Sequence, residues 1–507
     1  MQHSRLARIF AVGAGLFAWT GTAHAEPWTF LGARYQGMGG AGVAVVDDDK
    51  AAYWNPGSLG FEYDWEVGLT AAAQAAAEGD ILRDVDRVFE FVDDFDIDGV
   101  LADMSAGNPL SNTDLQDALT LATELLPTLG RDGQGVLGSV GAGLTVRYGR
   151  YSLSGIGLSN FAADPVLDLD NLSFNTSATA VDQITNAFGI LPPAGAVSNQ
   201  ALANDIAAVF TTAGLAAGDA QNAAENLVFQ AEAAGIDTSS SQIAGTIGTI
   251  AGATALVGGG DLSQNASGAI VRGAATVESG IAIGYTLPIP LPGVEDRIGI
   301  GSTLKYIYGT TYSKIIRYND VSDVGDVLDE LTNARNRKTS HTWGVDVGLL
   351  YMPFDFLRVG VTARNVNRPK LDTADGSDYV IEPQVRGGVA VNIFPNWLVA
   401  ADVDLTENET DSLAGFESRI ISAGTEVGIP LGDIVRIALR AGFYTNLASD
   451  AANALALTGG LGLRIANFHL DVAAGASPNT TRIQFDKSRK VPTRANVAVS
   501  LKWAGTF

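Results

Sequence analysis

The chain has 507 residues, a formal net charge of −24 at pH 7 and no cysteine. An acidic chain repels phosphate backbones, so no nucleic acid partner is expected, and the lack of cysteine excludes a disulfide framework and thiolate metal sites. Charged residues make up 17% of the chain, below the roughly 25% that is typical of soluble domains.

Residues 1–25 are predicted to be a secretory signal peptide. Arg5 and Arg8 precede an apolar run from Ile9 to Trp19, and Ala23-His24-Ala25 has the Ala-x-Ala pattern of a cleavage site. The apolar run is much shorter than the roughly 20 residues that a membrane-spanning helix needs. We therefore expect export across the inner membrane and a mature chain that starts at Glu26.

The next segment, 26–60, is predicted to be a hatch or plug. It is rich in glycine, which permits close backbone approach, and it ends in a strand-breaking Asn-Pro pair. Its candidate structural or gating residues are Gly37, Gly39, Gly40, Gly42, Asn55 and Pro56. The glycines formally match G-x-G-x-x-G, but nucleotide binding would need a preceding strand and a continuous following helix. Asp47 to Asp49 lack the spacing of a calcium loop, and we interpret them as a solvated acidic turn.

From 61 to 507 the chain repeats segments of about ten residues that alternate apolar with polar or small residues. In the last segment, Val497 and Leu501 lie on one face and Ser500 and Lys502 on the other. Such long alternating segments indicate an all-β, antiparallel transmembrane β-barrel of about 14 strands, because strands of soluble sandwiches usually have about 5–6 residues. The predicted strands lie near 61–75, 137–148, 151–163, 270–287, 296–313, 337–352, 356–367, 380–394, 396–408, 417–430, 434–446, 456–466, 468–476 and 494–506.

The connections between these strands alternate strictly between short and long, as outer-membrane barrels require. The two longest outer connections, 76–136 and 164–269, are predicted to contain helical insertions, for example at 201–214 and 219–234. We interpret the insertions as a surface cap; a partner-binding or ligand-gating domain is the alternative.

Two further groups of side chains follow from the alternation. The charged residues on the inward face are expected to form a paired network in the lumen; they are Asp346, Arg364, Asp402, Asp404, Arg436 and Arg440. The aromatic residues expected at the membrane interface are Tyr148, Tyr351, Trp397, Trp503 and Phe507. The terminal Phe507 also resembles the signal that the barrel-assembly machinery reads.

No catalytic motif, metal site or cofactor site is expected, since only His341 and His469 remain after the signal peptide and neither belongs to a known catalytic pattern.

Two sets of motifs resemble known families. The run Gly32–Ala44 followed by Ala51–Leu59 is similar to the N-terminal hatch of FadL-type outer-membrane transporters, although Gly57 stands where that family usually has alanine. The stretches 361–369, 382–388, 402–406 and 440–447 resemble the conjugal transfer protein TraF group of FadL-like barrels. The resemblance covers 31–75 and 270–507, and it implies fourteen strands and a lumen gated by the hatch.

The resemblance implies passive uptake of small hydrophobic compounds through a hatch-gated lumen in the outer membrane. The alternative is a structural envelope barrel associated with conjugative plasmid transfer, whose helical insertions bind a partner. The expected partners are outer-membrane lipid, a small hydrophobic ligand and, during biogenesis, the barrel-assembly machinery.

Overall fold

The computed structural model describes residues 28–61, 64–84, 87, 133–166, 197–212, 216–233, 238, 268–289, 296–317, 335–409, 412–413, 415–448, 455–483 and 489–505. The predicted signal peptide, most of the first insertion and Phe507 lie outside these residues. The described chain consists of a closed β-barrel, a segment that fills its lumen, and a pair of helices in the second insertion.

Fourteen strands close the barrel in sequence order, and every neighbouring pair is antiparallel. Closure joins β14 to β1, with Trp65 opposite Gly505 and Ala76 opposite Arg494. The predicted fold class and strand number are therefore confirmed. The strands are β1 Trp65–Glu78, β2 Gly135–Tyr148, β3 Tyr151–Val166, β4 Gly268–Thr286, β5 Ile298–Arg317, β6 Arg337–Phe354, β7 Leu357–Arg364, β8 Gln384–Phe394, β9 Trp397–Asp404, β10 Ile420–Leu431, β11 Val435–Asn446, β12 Ala456–Ile465, β13 Phe468–Ala476 and β14 Arg494–Gly505.

Alternation along each strand separates a lipid face from a lumen face. On β14, Val497 and Leu501 are 57% and 52% exposed, whereas Ala498 and Ser500 are 3% and 4% exposed. A closed barrel satisfies all strand hydrogen bonds within the protein, so an apolar outer belt of this kind can face lipid. None of the helices among the described residues has both the length and the apolar character to cross a bilayer.

One end of the barrel carries short turns, which in bacterial barrels face the periplasm. Tyr148, Trp397 and Trp503 lie at this end with 62%, 40% and 49% of their surfaces exposed, and Tyr351 is half-buried there. We call this end the periplasmic end and the opposite one the outer end.

The outer end contains three small hairpins that the sequence pattern does not predict. They pair Lys370–Asp372 with Asp378–Val380, Asn408–Glu409 with Glu417–Ser418, and Thr480–Ile483 with Arg489–Pro492. The seventh strand also ends at Arg364, earlier than predicted. Asn365 has a φ of 54°, and its N–H donates to Asp346 Oδ1 at 2.8 Å instead of continuing the ladder.

The helices are not part of the barrel wall. Inside the lumen, α1 (Ala33–Gly37) and α2 (Ala51–Trp54) precede a 3-10 helix at Pro56–Phe61. In the second insertion, α3 (Gln200–Thr212) and α4 (Ala217–Ala233) correspond to the helices predicted at 201–214 and 219–234.

Candidate functional site

The segment 28–61, called the hatch segment below, occupies the lumen and contacts opposite walls of the barrel. The Ala33 N–H donates to Ser500 Oγ on β14 at 3.0 Å. Across the lumen, the Asn55 side chain donates to the Leu349 carbonyl on β6 at 3.0 Å. Nearly all of its side chains are buried, so the segment is packed closely inside the barrel.

The hatch segment has an aromatic core of its own. The ring centroids of Tyr35 and Trp54 are 4.9 Å apart, and those of Trp28 and Trp54 are 5.8 Å apart. Tyr53 stacks edge-on against both tryptophans, at 6.1 Å from Trp28 and 5.9 Å from Trp54. Aromatic pairs in these arrangements add stability beyond the burial of their surface. The segment is thus packed against itself as well as against the wall.

The predicted glycines allow the hatch segment to adopt backbone conformations and close contacts that a side chain would prevent. Gly39 and Gly40 have φ values of +72° and +88°, which side chains of L residues rarely adopt. A Cβ at Gly39 would lie 2.3 Å from the Phe443 carbonyl oxygen of the wall, and one at Gly42 would lie 2.4 Å from the Trp54 ring. Close approach, more than flexibility, explains the glycine-rich run.

Asp402, on β9, fixes the middle of the hatch segment to the wall. Its Oδ2 accepts the N–H groups of Gly42 and Val43 at 2.7 and 2.9 Å. Arg386, on β8, lies 3.9 Å from Asp402 and 3.4 Å from Asp404, and all three side chains are almost fully buried. The two carboxylates therefore share one guanidinium, but only Asp402 also holds the hatch segment.

A second ionic group lies beneath the aromatic core. Lys305 bridges Glu278 at 3.2 Å and Asp346 at 3.1 Å, and Arg364 lies 3.5 Å from Glu278. The Arg364 guanidinium also covers the Tyr53 ring, 4.1 Å from its centroid. The charges of this part of the wall are thus neutralised by neighbouring side chains, and Arg364 also makes a cation–π contact with the hatch segment.

A third ionic group joins the hatch segment to β10, β11 and β13. Arg34 pairs with Asp47 at 2.6 Å and with Glu426 at 3.0 Å. Arg440 pairs with the same Glu426 at 2.6 Å and with Asp471 at 2.6 Å. Arg34 and Asp47 thereby connect the hatch segment to the ion pairs of the barrel wall.

The acidic run of the hatch segment is not a solvated turn, and that interpretation was wrong. Asp48 and Asp49 are 4% and 0% exposed; Tyr35 donates to Asp48 at 2.6 Å, and Lys50 lies 2.9 Å from Asp49. Burial raises the pKa of Asp48, but Lys50, Lys502, Arg34 and the hydrogen bond from Tyr35 together outweigh burial, and the pKa lies below its ordinary value of 3.8. Burial likewise raises the pKa of Asp47, but Arg34 and Arg358 together lower it further, to a net value below 3.8.

Two cavities flank the hatch segment. The outer cavity, about 70 Å³, is lined by Trp28, Phe30, Phe416, Ser418 and Tyr444 among others. Five of its lining residues have a buried polar atom without a hydrogen-bond partner among the described residues; the atoms are Trp28 Nε1, Gln74 Nε2, Glu78 Oε1, Ser418 Oγ and Arg494 Nε. The periplasmic cavity, about 320 Å³, is lined mainly by charged side chains.

The structure places the predicted lumen residues on the inner face of the wall but divides them. Asp346 and Arg364 belong to the second ionic group, Asp402 and Asp404 to the pair around Arg386, and Arg440 to the third group. Arg436 joins none of these groups. Their partners Glu278, Lys305, Arg386 and Glu426 were missed, although each is a charged residue at an inward position of a predicted strand. Asn55 reaches Val43 within the hatch segment and Leu349 in the wall.

Among the described residues, no group of three or more His, Asp and Glu side chains is arranged to hold a metal ion.

Comparison with known proteins adds a family match. Solved structures similar to this chain include the Pseudomonas putida toluene transporter TodX, with 11% identity, coverage of 96% of this chain and 100% of that chain, and a TM-score of 0.40. The Ralstonia pickettii toluene transporter TbuX is 12% identical, with coverage of 93% of this chain and 97% of that chain and a TM-score of 0.41. A Pseudomonas aeruginosa FadL homologue is 9% identical, with coverage of 96% of this chain and 100% of that chain and a TM-score of 0.40. No curated protein matches. The model of the F plasmid transfer operon TraF protein family matches residues 52–404, well over half of the sequence, and the chain therefore belongs to that family.

Proposed function

We propose that this outer-membrane barrel mediates passive uptake of small hydrophobic compounds and that the hatch segment is its gate. The observation that carries the proposal is the way in which the plug is held. It has its own aromatic core, and its attachments to the wall include many hydrogen bonds and ion pairs, such as those of Asp402 and Glu426. Water can replace such polar contacts when the plug moves, so undocking leaves few polar groups unsatisfied.

The outer cavity supports the choice of ligand. Trp28, Phe30 and Tyr444 line it from the plug and the wall, and apolar or aromatic walls with a few polar groups are typical of small-molecule sites. The unpartnered Trp28 Nε1 is a donor, and the unpartnered Ser418 Oγ is a donor or acceptor. Gln74 and Arg494 line the same cavity and also have an unpartnered atom, so the favoured ligand is a compact, mainly apolar molecule that carries a few polar groups.

The position of the cavities supports a path. The outer cavity and the periplasmic cavity lie on opposite sides of the hatch segment, and the segment blocks the direct route between them. A ligand that enters from outside therefore passes only when the segment shifts from its contacts on β9 and β14. A passive gate of this kind needs no catalytic residue.

The experiment locks the gate by a disulfide. The natural chain has no cysteine, so Ala33→Cys with Ser500→Cys, at the 3.0 Å contact between Ala33 N and Ser500 Oγ, creates a single possible pair. The protein is reconstituted into vesicles with lipopolysaccharide in the outer leaflet, which slows unassisted diffusion, and entry of a fluorescent apolar tracer is followed. Uptake by the reduced protein should exceed that of empty vesicles, and oxidation should reduce it to that background.

Each single-cysteine variant serves as a control, because oxidation should leave its uptake unchanged. Equal uptake by the oxidised and reduced double variant, both above background, would show that the compound does not pass the hatch segment. Background uptake in every state would contradict transport itself.

A second candidate function is a structural envelope barrel of the plasmid-transfer apparatus, and the family match favours it. In that case α3 and α4 form part of a partner surface and the lumen stays closed. Deletion of the helix pair, residues 197–238, would then abolish plasmid transfer from cells that carry the gene, whereas locking the hatch segment would leave transfer unchanged. Under the transport proposal, locking the hatch segment stops tracer uptake, whereas deletion of the helix pair leaves tracer uptake unchanged.

A further inference from the structure

Four neighbouring strands place a row of nitrogen-bearing side chains at one level of the periplasmic end. Arg436 on β11 is directly opposite Arg464 on β12, and Arg464 is directly opposite His469 on β13. His469 in turn faces Lys502 on β14. Like charges directly opposite each other destabilise a sheet, so this arrangement calls for a compensating charge.

Among the described residues, a carboxylate forms an ion pair with only one member of the row. Lys502 lies 3.3 Å from Glu66. Within the described residues, neither Arg436 nor Arg464 forms an ion pair with a carboxylate, and the Arg464 Nε donates only to the Ala466 carbonyl at 3.0 Å. The two arginines, at directly opposite positions of β11 and β12, are thus left with unused donors.

These two arginines line the periplasmic cavity. Its lining includes six arginine or lysine side chains against four carboxylates, in a chain whose formal net charge is −24. Gly428 makes room for one of them, since a Cβ there would lie 2.2 Å from Arg436 Nη2. The cavity of about 320 Å³ is large enough for a small organic anion.

The row faces the lumen and not the lipid. Its neighbours along β12, Leu463 and Ile465, are 36% and 50% exposed on the opposite, outer face. A membrane headgroup outside the barrel therefore cannot reach the row. The occupant must enter through the periplasmic mouth or from the lumen.

We propose that the periplasmic cavity binds a small oxyanion, a carboxylate or a phosphate, between Arg436 and Arg464. Each guanidinium presents a planar fork of N–H donors that matches such a group with two parallel hydrogen bonds. The bound anion also removes the repulsion across the β11–β12 pair. This site stands independently of the transport of apolar compounds.

The test titrates the full chain in detergent with sodium benzoate and, separately, with inorganic phosphate at low ionic strength, where surface charge is least screened. Calorimetry should show saturable binding of at least one probe, and the responding probe identifies the carboxylate or the phosphate source. Arg436→Gln with Arg464→Gln should weaken binding by about tenfold for each arginine. Arg150→Gln removes a charge at the same end, where the guanidinium lies over the outward Tyr285 ring, and should leave binding unchanged.

A second measurement separates the site from a folding defect. Heat-modifiable gel mobility shows whether each variant forms the barrel, and thermal unfolding without anion should occur at a higher temperature in Arg464→Gln than in the natural protein, because repulsion is relieved. Benzoate or phosphate should raise the unfolding temperature of the natural protein and of Arg150→Gln, but not that of the Arg436→Gln, Arg464→Gln double variant. The proposal is overturned if neither probe binds saturably, if the double variant binds like the natural protein, or if Arg150→Gln weakens binding equally.

Discussion

Replacement of Asp402 by alanine tests whether the hatch segment is held by the wall at one strong point. The change removes two hydrogen bonds from backbone N–H groups, at 2.7 and 2.9 Å, to an almost fully buried carboxylate. Hydrogen bonds to charged groups contribute about 1.5–3 kcal/mol each, and the loss also leaves Arg386 with Asp404 as its remaining carboxylate. We expect docking of the hatch segment to weaken by about 4 kcal/mol, which is roughly a thousandfold rise in the undocked fraction.

Amide hydrogen exchange of the peptide that contains residues 42–46 measures this fraction. Asp404→Ala is the matched control, because Asp404 also pairs with Arg386 but accepts its backbone hydrogen bond from Ile420 of the wall, at 2.8 Å. Asp402→Ala should accelerate exchange of the hatch peptide by about a thousandfold, and Asp404→Ala should leave it nearly unchanged while loosening β10. Equal exchange of the hatch peptide in the two variants would refute the idea that Asp402 is a specific latch.

Three further outcomes are expected. The lowered pKa values of Asp47 and Asp48 mean that their contribution to docking is complete above pH 3.8 and is lost as pH falls below it. Pepsin should therefore begin to cleave the hatch segment only below about pH 3.8, and cleavage that begins near pH 6 would contradict this. Gly39→Ala should weaken docking by about 1–3 kcal/mol, seen as faster exchange, whereas Gly376→Ala, at φ +87° with nothing within 4 Å, should not affect the hatch peptide. Trp28→Phe should preserve the fold and reduce binding of ligands with a hydrogen-bond acceptor by up to about tenfold, measured by fluorescence titration, while binding of pure hydrocarbons stays the same.

The barrel could be predicted from sequence because its signal repeats. Each strand alternates over about ten residues, so a local error in one strand does not change the class of fold. The end of β7 could not be predicted, since it depends on a hydrogen bond between Asn365 and Asp346 on the neighbouring strand. The outer hairpins were missed for a related reason: their paired strands of two to four residues are too short for alternation to be visible.

The site was predicted less completely than the wall. The inward position of Asp402 follows from the period of two, but its role depends on the register that places it beside Gly42 and Val43, more than 350 positions earlier in the chain. The acidic run was misread because a run of three aspartates is usually solvated, whereas here Lys50, Tyr35 and Arg34 supply partners inside the lumen. The cationic row depends on four strand registers at once, and no local pattern reveals it.

The way the hatch segment is packed bears on how it moves. Helix α1 meets the wall through small residues, since Ala33 packs against Ala72, Ala473 and Ala498, and little apolar surface is lost when such a contact opens. The large rings of Tyr35 and Trp54 pack on each other within the segment. Unfolding the segment would expose these rings to water and lose their packing on each other. Displacing it as a unit keeps that packing and breaks only the contacts with the wall, which include polar contacts, small-residue contacts and the edge-on pair of Phe30 with Tyr444. Displacement as a body is therefore the lower-energy way to open the lumen, and polar latches such as Asp402 set how often it occurs.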